Sequence, residues 1–165
     1  MKRLISIMMV CAAVLTANAQ FESGTKYVNA SLSSLGLSYS KKAEWRFGVQ
    51  AEGGYYFADS WMLRVNAGYE HTKATDDVWV GAGVRYHFLQ NGIFLGAGVE
   101  YDHFTKSVND VMIPVEVGYT FYLNHYLAIE PALYYKMSTN DFADGSTVGL
   151  RIGLGYYFGR NPFKK

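Results

Sequence analysis

Beyond its first 19 residues the chain has no cysteine, no basic stripe and no long apolar run. Each gap excludes something. The single cysteine, Cys11, lies in a segment expected to be removed, so the remaining chain has no thiol, disulfide or cysteine-based metal site. No stretch after residue 19 approaches the ~18 apolar residues of a spanning helix. Without a basic stripe, nucleic acid is not an expected partner. The glycines sit inside strand-like segments and lack the helix that must follow a phosphate-binding loop. His71, His87, His103 and His125 lie on different strands or turns with no metal-ligand spacing, and read as loop or interface histidines. No cofactor or metal is expected.

The first 19 residues form three parts in order. Lys2 and Arg3 are a basic start, Leu4 to Leu15 an apolar run, and Ala17-Asn18-Ala19 an A-x-A cleavage site. This pattern is that of a secretory signal peptide. The expected mature domain is residues 20–165. Removal takes away two of the 15 basic residues, leaving 13 against 14 acidic and a formal charge of −1.

The rest is rich in aromatics (16%) and glycine (17 residues), with mean hydropathy near zero. That mixture suits neither a helical membrane protein nor a disordered chain. A phrase recurs: GYYFADS at Gly54, RYHFLQNG at Arg85, GYTFYLN at Gly118 and GYYFGRN at Gly155. Its phenylalanines, Phe57, Phe88, Phe121 and Phe158, stand 31, 33 and 37 residues apart. Each interval holds two strands and two connections, so four units give eight strands.

Within each unit the residues alternate. The last segment, Thr147 to Phe158, puts Val148, Leu150, Ile152, Leu154, Tyr156 and Phe158 on one face. Thr147, Gly149, Arg151, Gly153, Gly155 and Tyr157 take the other. The same division holds from Glu44 to Phe57, in the strands through Leu63, Val84 and Ile93, and in those through Ile113 and Leu133. No apolar-face position in strands two to eight is charged. The first strand follows a short polar lead, Gln20 to Gly24, and loses phase near Ser33-Ser34, where either a bulge or an early strand end is expected. Pro114 and Pro131 cannot donate to a ladder, and bulges or kinks are expected there.

The apolar faces end in aromatics. Tyr55, Phe57, Tyr86, Phe88, Tyr119, Phe121, Tyr156 and Phe158 mark one rim, and Tyr69, Tyr101 and Tyr135 the other. Two aromatic girdles around an apolar band point to a transmembrane barrel with its apolar faces toward lipid. Ten steps separate Trp45 from Tyr55; at ~3.3 Å per residue and ~40° tilt they span roughly 25 Å, an outer-membrane thickness. The opposite face carries Arg46, Glu52, Arg64, Glu70, Arg85, Glu100, Glu116, Glu130 and Arg151, expected to form an ion-pair network in the lumen. Eight strands leave an interior that side chains nearly fill, so an open pore is not expected.

Other chemistry is thinly supported. His103-Phe104-Thr105 resembles the histidine-plus-hydroxyl pairs of barrel hydrolases, but no carboxylate completes it. The outer loops are short, roughly Ser40–Ala43, Thr72–Asp77, Phe104–Asn109 and Ser138–Ser146. Asp141 and Asp144 in the last read as solvated turn residues rather than cation ligands.

From GTKYVNASLSSLGLSYS to GLRIGLGYYF the chain resembles the porin-family outer-membrane β-barrel domain, the small eight-stranded group of OmpA-like and OmpX-like barrels. IPVEVGYTFYLN and LAIEPALYY are similar to that family's later strands. The resemblance implies an all-β, antiparallel transmembrane barrel in a Gram-negative outer membrane, surrounded by outer-membrane lipid. It also implies insertion by the barrel assembly machinery, with Gly155, Tyr156 and Phe158 as the terminal signal. The GRNPFKK tail departs from members that end on the aromatic, so an internal signal or Phe163 enters the expectation. The expected role is structural or surface-interacting, without catalysis, and the expected state is a monomer. A narrow passive channel, a lipid-modifying enzyme and a secreted lipocalin-like barrel are the alternatives.

Overall fold

The computed structural model describes residues 21–38, 47–71, 76–88, 91–104, 108–140 and 146–158. Eight antiparallel staves run β1 (Lys26–Ser38), β2 (Phe47–Ala58), β3 (Trp61–His71), β4 (Asp76–His87) and β5 (Ile93–Phe104). They continue with β6 (Val108–Tyr119, extended by Phe121–Tyr122), β7 (Leu127–Ser138) and β8 (Thr147–Phe158). Each pairs with its neighbours in sequence, and β1 pairs with β8, so the sheet closes on itself and leaves no open edge. The end carrying Lys26 and Phe158, with the turns after β2, β4 and β6, is here the terminal end; the opposite one is the loop end.

The alternation read from the sequence is the alternation observed. Val65, Val80 and Ile152 are about 60% exposed on the outer face (59%, 59% and 62%), while Arg64, Arg85 and Glu130 are 2–3% exposed in the lumen. This is the inverse of a soluble barrel, and it excludes the lipocalin-like arrangement, whose apolar face lies inside.

The phase slip in β1 is a bulge. Ser33 faces Arg151 and Leu35 faces Leu150, leaving Ser34 as the extra residue. The two prolines make no bulge. On β5, pairing lapses between Ala97↔Val115 and Glu100↔Met112, across Pro114, and resumes in the same register. On β6, the ladder to β7 lapses beyond Gly118↔Ala132, next to Pro131, and resumes in register at Phe121↔Ile129. A residue without an N–H is accommodated by dropping rungs on one side.

The strands also run further than the sequence suggested. Asp76, Phe104, Val108 and Ser138 are strand residues rather than loop residues. The Gln20–Gly24 lead is not simply polar: Phe21 is 2% exposed, inside the terminal end. Residues 1–19, the loop Ser40–Ala43, and Trp45, Arg46, Thr105, Asp141, Asp144 and Phe163 lie outside the described residues.

Candidate functional site: the lumen and the outer face

Alternation sends every second side chain of each strand into the lumen, and closure makes strands distant in sequence converge there. Three layers result. At mid-height the charges of β2, β3, β4, β6, β7 and β8 meet. Arg85 pairs with Glu52 (2.8 Å), Glu116 (2.9 Å) and Glu130 (3.2 Å). Arg64 pairs with Glu52 at 3.0 Å and Glu116 at 2.8 Å, and Arg151 pairs with Glu116. Three guanidiniums thus face three carboxylates, the condition under which buried charge is tolerated. Neutral groups complete the layer. Tyr27 donates to Glu130, as does Tyr157 at 2.5 Å; Asn29 does so at 3.3 Å, and Arg151 donates to Gln50 at 2.9 Å. The guanidinium of Arg85 also lies 4.3 Å from the Phe94 ring centroid.

Toward the loop end the composition turns acidic. Lys136 binds Glu100 at 2.7 Å and stands 4.2 Å above the Trp79 ring, and Asn66 donates to Glu100 at 2.7 Å. Two pairs of carboxylates face each other across ladders, Glu70 with Asp77 and Asp102 with Asp110. Asp110 accepts from Ser138 at 2.5 Å and from Asn140 at 2.9 Å. Asp102 Oδ1 is buried without a hydrogen-bond partner.

Toward the terminal end the layer is aromatic. The Phe21 ring stacks on His87 at 4.1 Å, with Tyr56, Tyr122 and Tyr157 within 6.4 Å of it. The Phe94 ring is tilted against His87 at 5.4 Å, and the Tyr56 hydroxyl lies 3.2 Å from His87 Nδ1. Backbone bonds seat the segment: Ser60 N–H donates to the Phe21 carbonyl, and Gly24 N–H to Tyr56, both at 2.8 Å.

The expected lumen set therefore divides. Glu52, Arg64, Arg85, Glu116, Glu130 and Arg151 form one lattice. Glu100 belongs instead with Lys136, and Glu70 lies among the loop-end acids. Lys136, Tyr27, Tyr157 and Phe21 were not in that set, although the alternation already pointed Lys136 and Tyr157 inward. His87 is a core residue, not a loop or interface histidine. His71, by contrast, is exposed at the loop-end rim, 2.5 Å from Asp76. Among the described residues no group of three or more histidine, cysteine, aspartate or glutamate side chains could hold a metal ion.

On the outer face, Tyr55, Phe57, Phe88, Phe121 and Tyr156 are exposed near the terminal end, with Tyr86, Tyr119 and Phe158 partly so. Trp61, tilted against the Tyr86 ring at 4.9 Å, joins them. Tyr69 and Tyr101 are exposed, and Tyr135 partly exposed, toward the loop end. Between the rows lie valine, leucine, isoleucine and alanine.

The chain resembles solved barrels closely in shape. The N-terminal β-barrel domain of Pseudomonas aeruginosa OprF superposes with a TM-score of 0.63 at 13% identity, over 82% of this chain and 98% of that one. The fold is that of the small eight-stranded outer-membrane barrels. Neisserial surface protein A superposes on this chain with a TM-score of 0.63 at 17% identity, over 82% of this chain and 98% of that one. The outer membrane protein OprG from Pseudomonas aeruginosa gives 0.57 at 15% identity, over 86% of this chain and 99% of its own. No protein-family model and no curated protein sequence matches the chain. At such identities the barrels share a fold, and the lumen chemistry of this one is read from its own residues.

Proposed function

We propose that the protein is a small integral outer-membrane barrel with a structural or surface-interacting role in the cell envelope and no catalysis. One observation carries this reading: the exposed face is apolar around the closed sheet, and the charges are enclosed. Such a surface is stable only against acyl chains, and closure satisfies the ladder groups that lipid cannot. The tyrosine and phenylalanine rows are its interface girdles. Residues 1–19 serve as the cleaved export signal, and β8, ending in Gly155, Tyr156 and Phe158, is what the assembly machinery recognises. The chain acts as a monomer.

The lumen speaks against the narrow-channel alternative. The arginine–carboxylate lattice fills its middle, and the Phe21–His87 layer fills its terminal end. The test is fractionation of producing cells, with gel mobility before and after boiling. Recovery in the outer-membrane fraction with a heat-dependent shift supports the reading; recovery in the soluble fraction without a shift ends it.

A further inference from the structure

The outer apolar surface does not stop where the strands stop. Below β6 and β7 the turn Leu123-Asn124-His125-Tyr126 leaves Leu123 51% and Tyr126 42% exposed. Both adjoin the exposed outer face: Phe121 lies two residues before Leu123, and the Tyr126 ring stacks on Tyr156 at 6.1 Å. The turn after β2 is different in kind. Its exposed residue is Asp59, whose carboxylate accepts from the Ser23 N–H at 2.9 Å.

Three of the four N–H groups of the Leu123–Tyr126 turn, and the Tyr126 carbonyl, are met within the chain. Asn124 Oδ1 accepts from the N–H groups of both Tyr126 and Leu127, each at 2.8 Å. The Leu127 carbonyl accepts from Leu123 (2.8 Å) and Asn124 (3.2 Å), and the Tyr126 carbonyl accepts from Tyr157 at 2.7 Å. Such self-capping lowers the cost of taking the turn out of water, since each unmet backbone group in lipid costs several kcal/mol. The geometry points to the Leu123–Tyr126 turn as a membrane anchor, immersed in the phospholipid interface with Leu123 and Tyr126 among the acyl chains. This rests on the outer face being lipid-facing. Leucine and tyrosine suit the place, one apolar throughout and the other with a wet hydroxyl end.

The test uses nitroxide labels on single cysteines in a Cys11→Ser background, with the protein reconstituted in phospholipid vesicles. Leu123→Cys and Tyr126→Cys report the turn, Leu95→Cys the outer face of β5 beside Tyr86, and Asp59→Cys the first turn. Collision rates with oxygen, which concentrates in lipid, are compared with those of a water-soluble nickel complex. The expected result is an oxygen-dominated ratio at 95, 123 and 126 and a nickel-dominated one at 59. If 95 reads as lipid while 123 or 126 reads as water, the anchor is wrong and the barrel reading stands. If 95 itself reads as water, both fall.

Discussion

Arg85 is the place to test whether the lumen is held by its charges. It is buried, contacts three carboxylates and the Tyr27 hydroxyl, and is the only cation paired with Glu130 among the described residues. Arg85→Met keeps much of the side-chain volume but leaves Arg64 and Arg151 facing Glu52, Glu116 and Glu130. Glu130 then keeps its phenol and amide donors and loses its countercharge. Removing one partner of a buried ion pair costs about 3–5 kcal/mol. Against a total stability of ~5–15 kcal/mol that is a large share. The assay is urea unfolding in vesicles, followed by tryptophan fluorescence and by loss of the heat-dependent gel shift. A second change, Glu130→Gln, restores neutrality and leaves an amide oxygen for Tyr27 and Tyr157. The double variant is expected to regain part of the loss, with a coupling on the order of 1–3 kcal/mol. An Arg85→Met midpoint equal to the parent's would refute the reasoning, as would a double variant worse than the sum of its parts.

Four further outcomes are expected in the same assay. Ile152→Arg places a charge on the outer face, where Ile152 is flanked by Leu32 and Pro131, and should cost ~2–4 kcal/mol; parental insertion and stability would mean the register is wrong. Gly83→Ala should cost about 1–3 kcal/mol, because a Cβ there would sit 2.8 Å from the Gly98 backbone, which cannot step aside. Gly53→Ala, whose Cβ would first meet Val65 at 3.8 Å, should stay within about 0.5 kcal/mol of the parent. Asp102→Asn should stabilise by ~0.2–1 kcal/mol by relieving the opposition of Asp110, and a loss of stability would show that the carboxylate has a favourable partner.

Much of this was legible because strand alternation is a local property. Ile152 and Arg151 are adjacent, and their opposite destinations follow from the period alone. The bulge at Ser34 was visible as a loss of phase for the same reason. What could not be read was which inward residues meet. Tyr27 and Glu130 are 103 residues apart, and their contact depends on how the sheet closes. The charges were therefore recognised as a set, while their division into an arginine lattice and a Lys136–Glu100 pair was not. Phe21 was hidden differently. One aromatic in a five-residue polar lead has no periodicity, and its seat is assembled from His87, Tyr56 and Tyr157 on three other strands. At Pro114 and Pro131 a bulge or a kink was expected, and the bulge half failed because a strand with two neighbours can drop rungs on one side and keep its register.

The central claim is that the greasy side of the sheet faces acyl chains. The direct measurement is flotation of the purified, folded chain after detergent removal, with and without phospholipid vesicles. The account predicts that it rises with the vesicles in heat-shifting form and precipitates without them. A chain that stays monomeric in plain buffer and ignores the vesicles would contradict it.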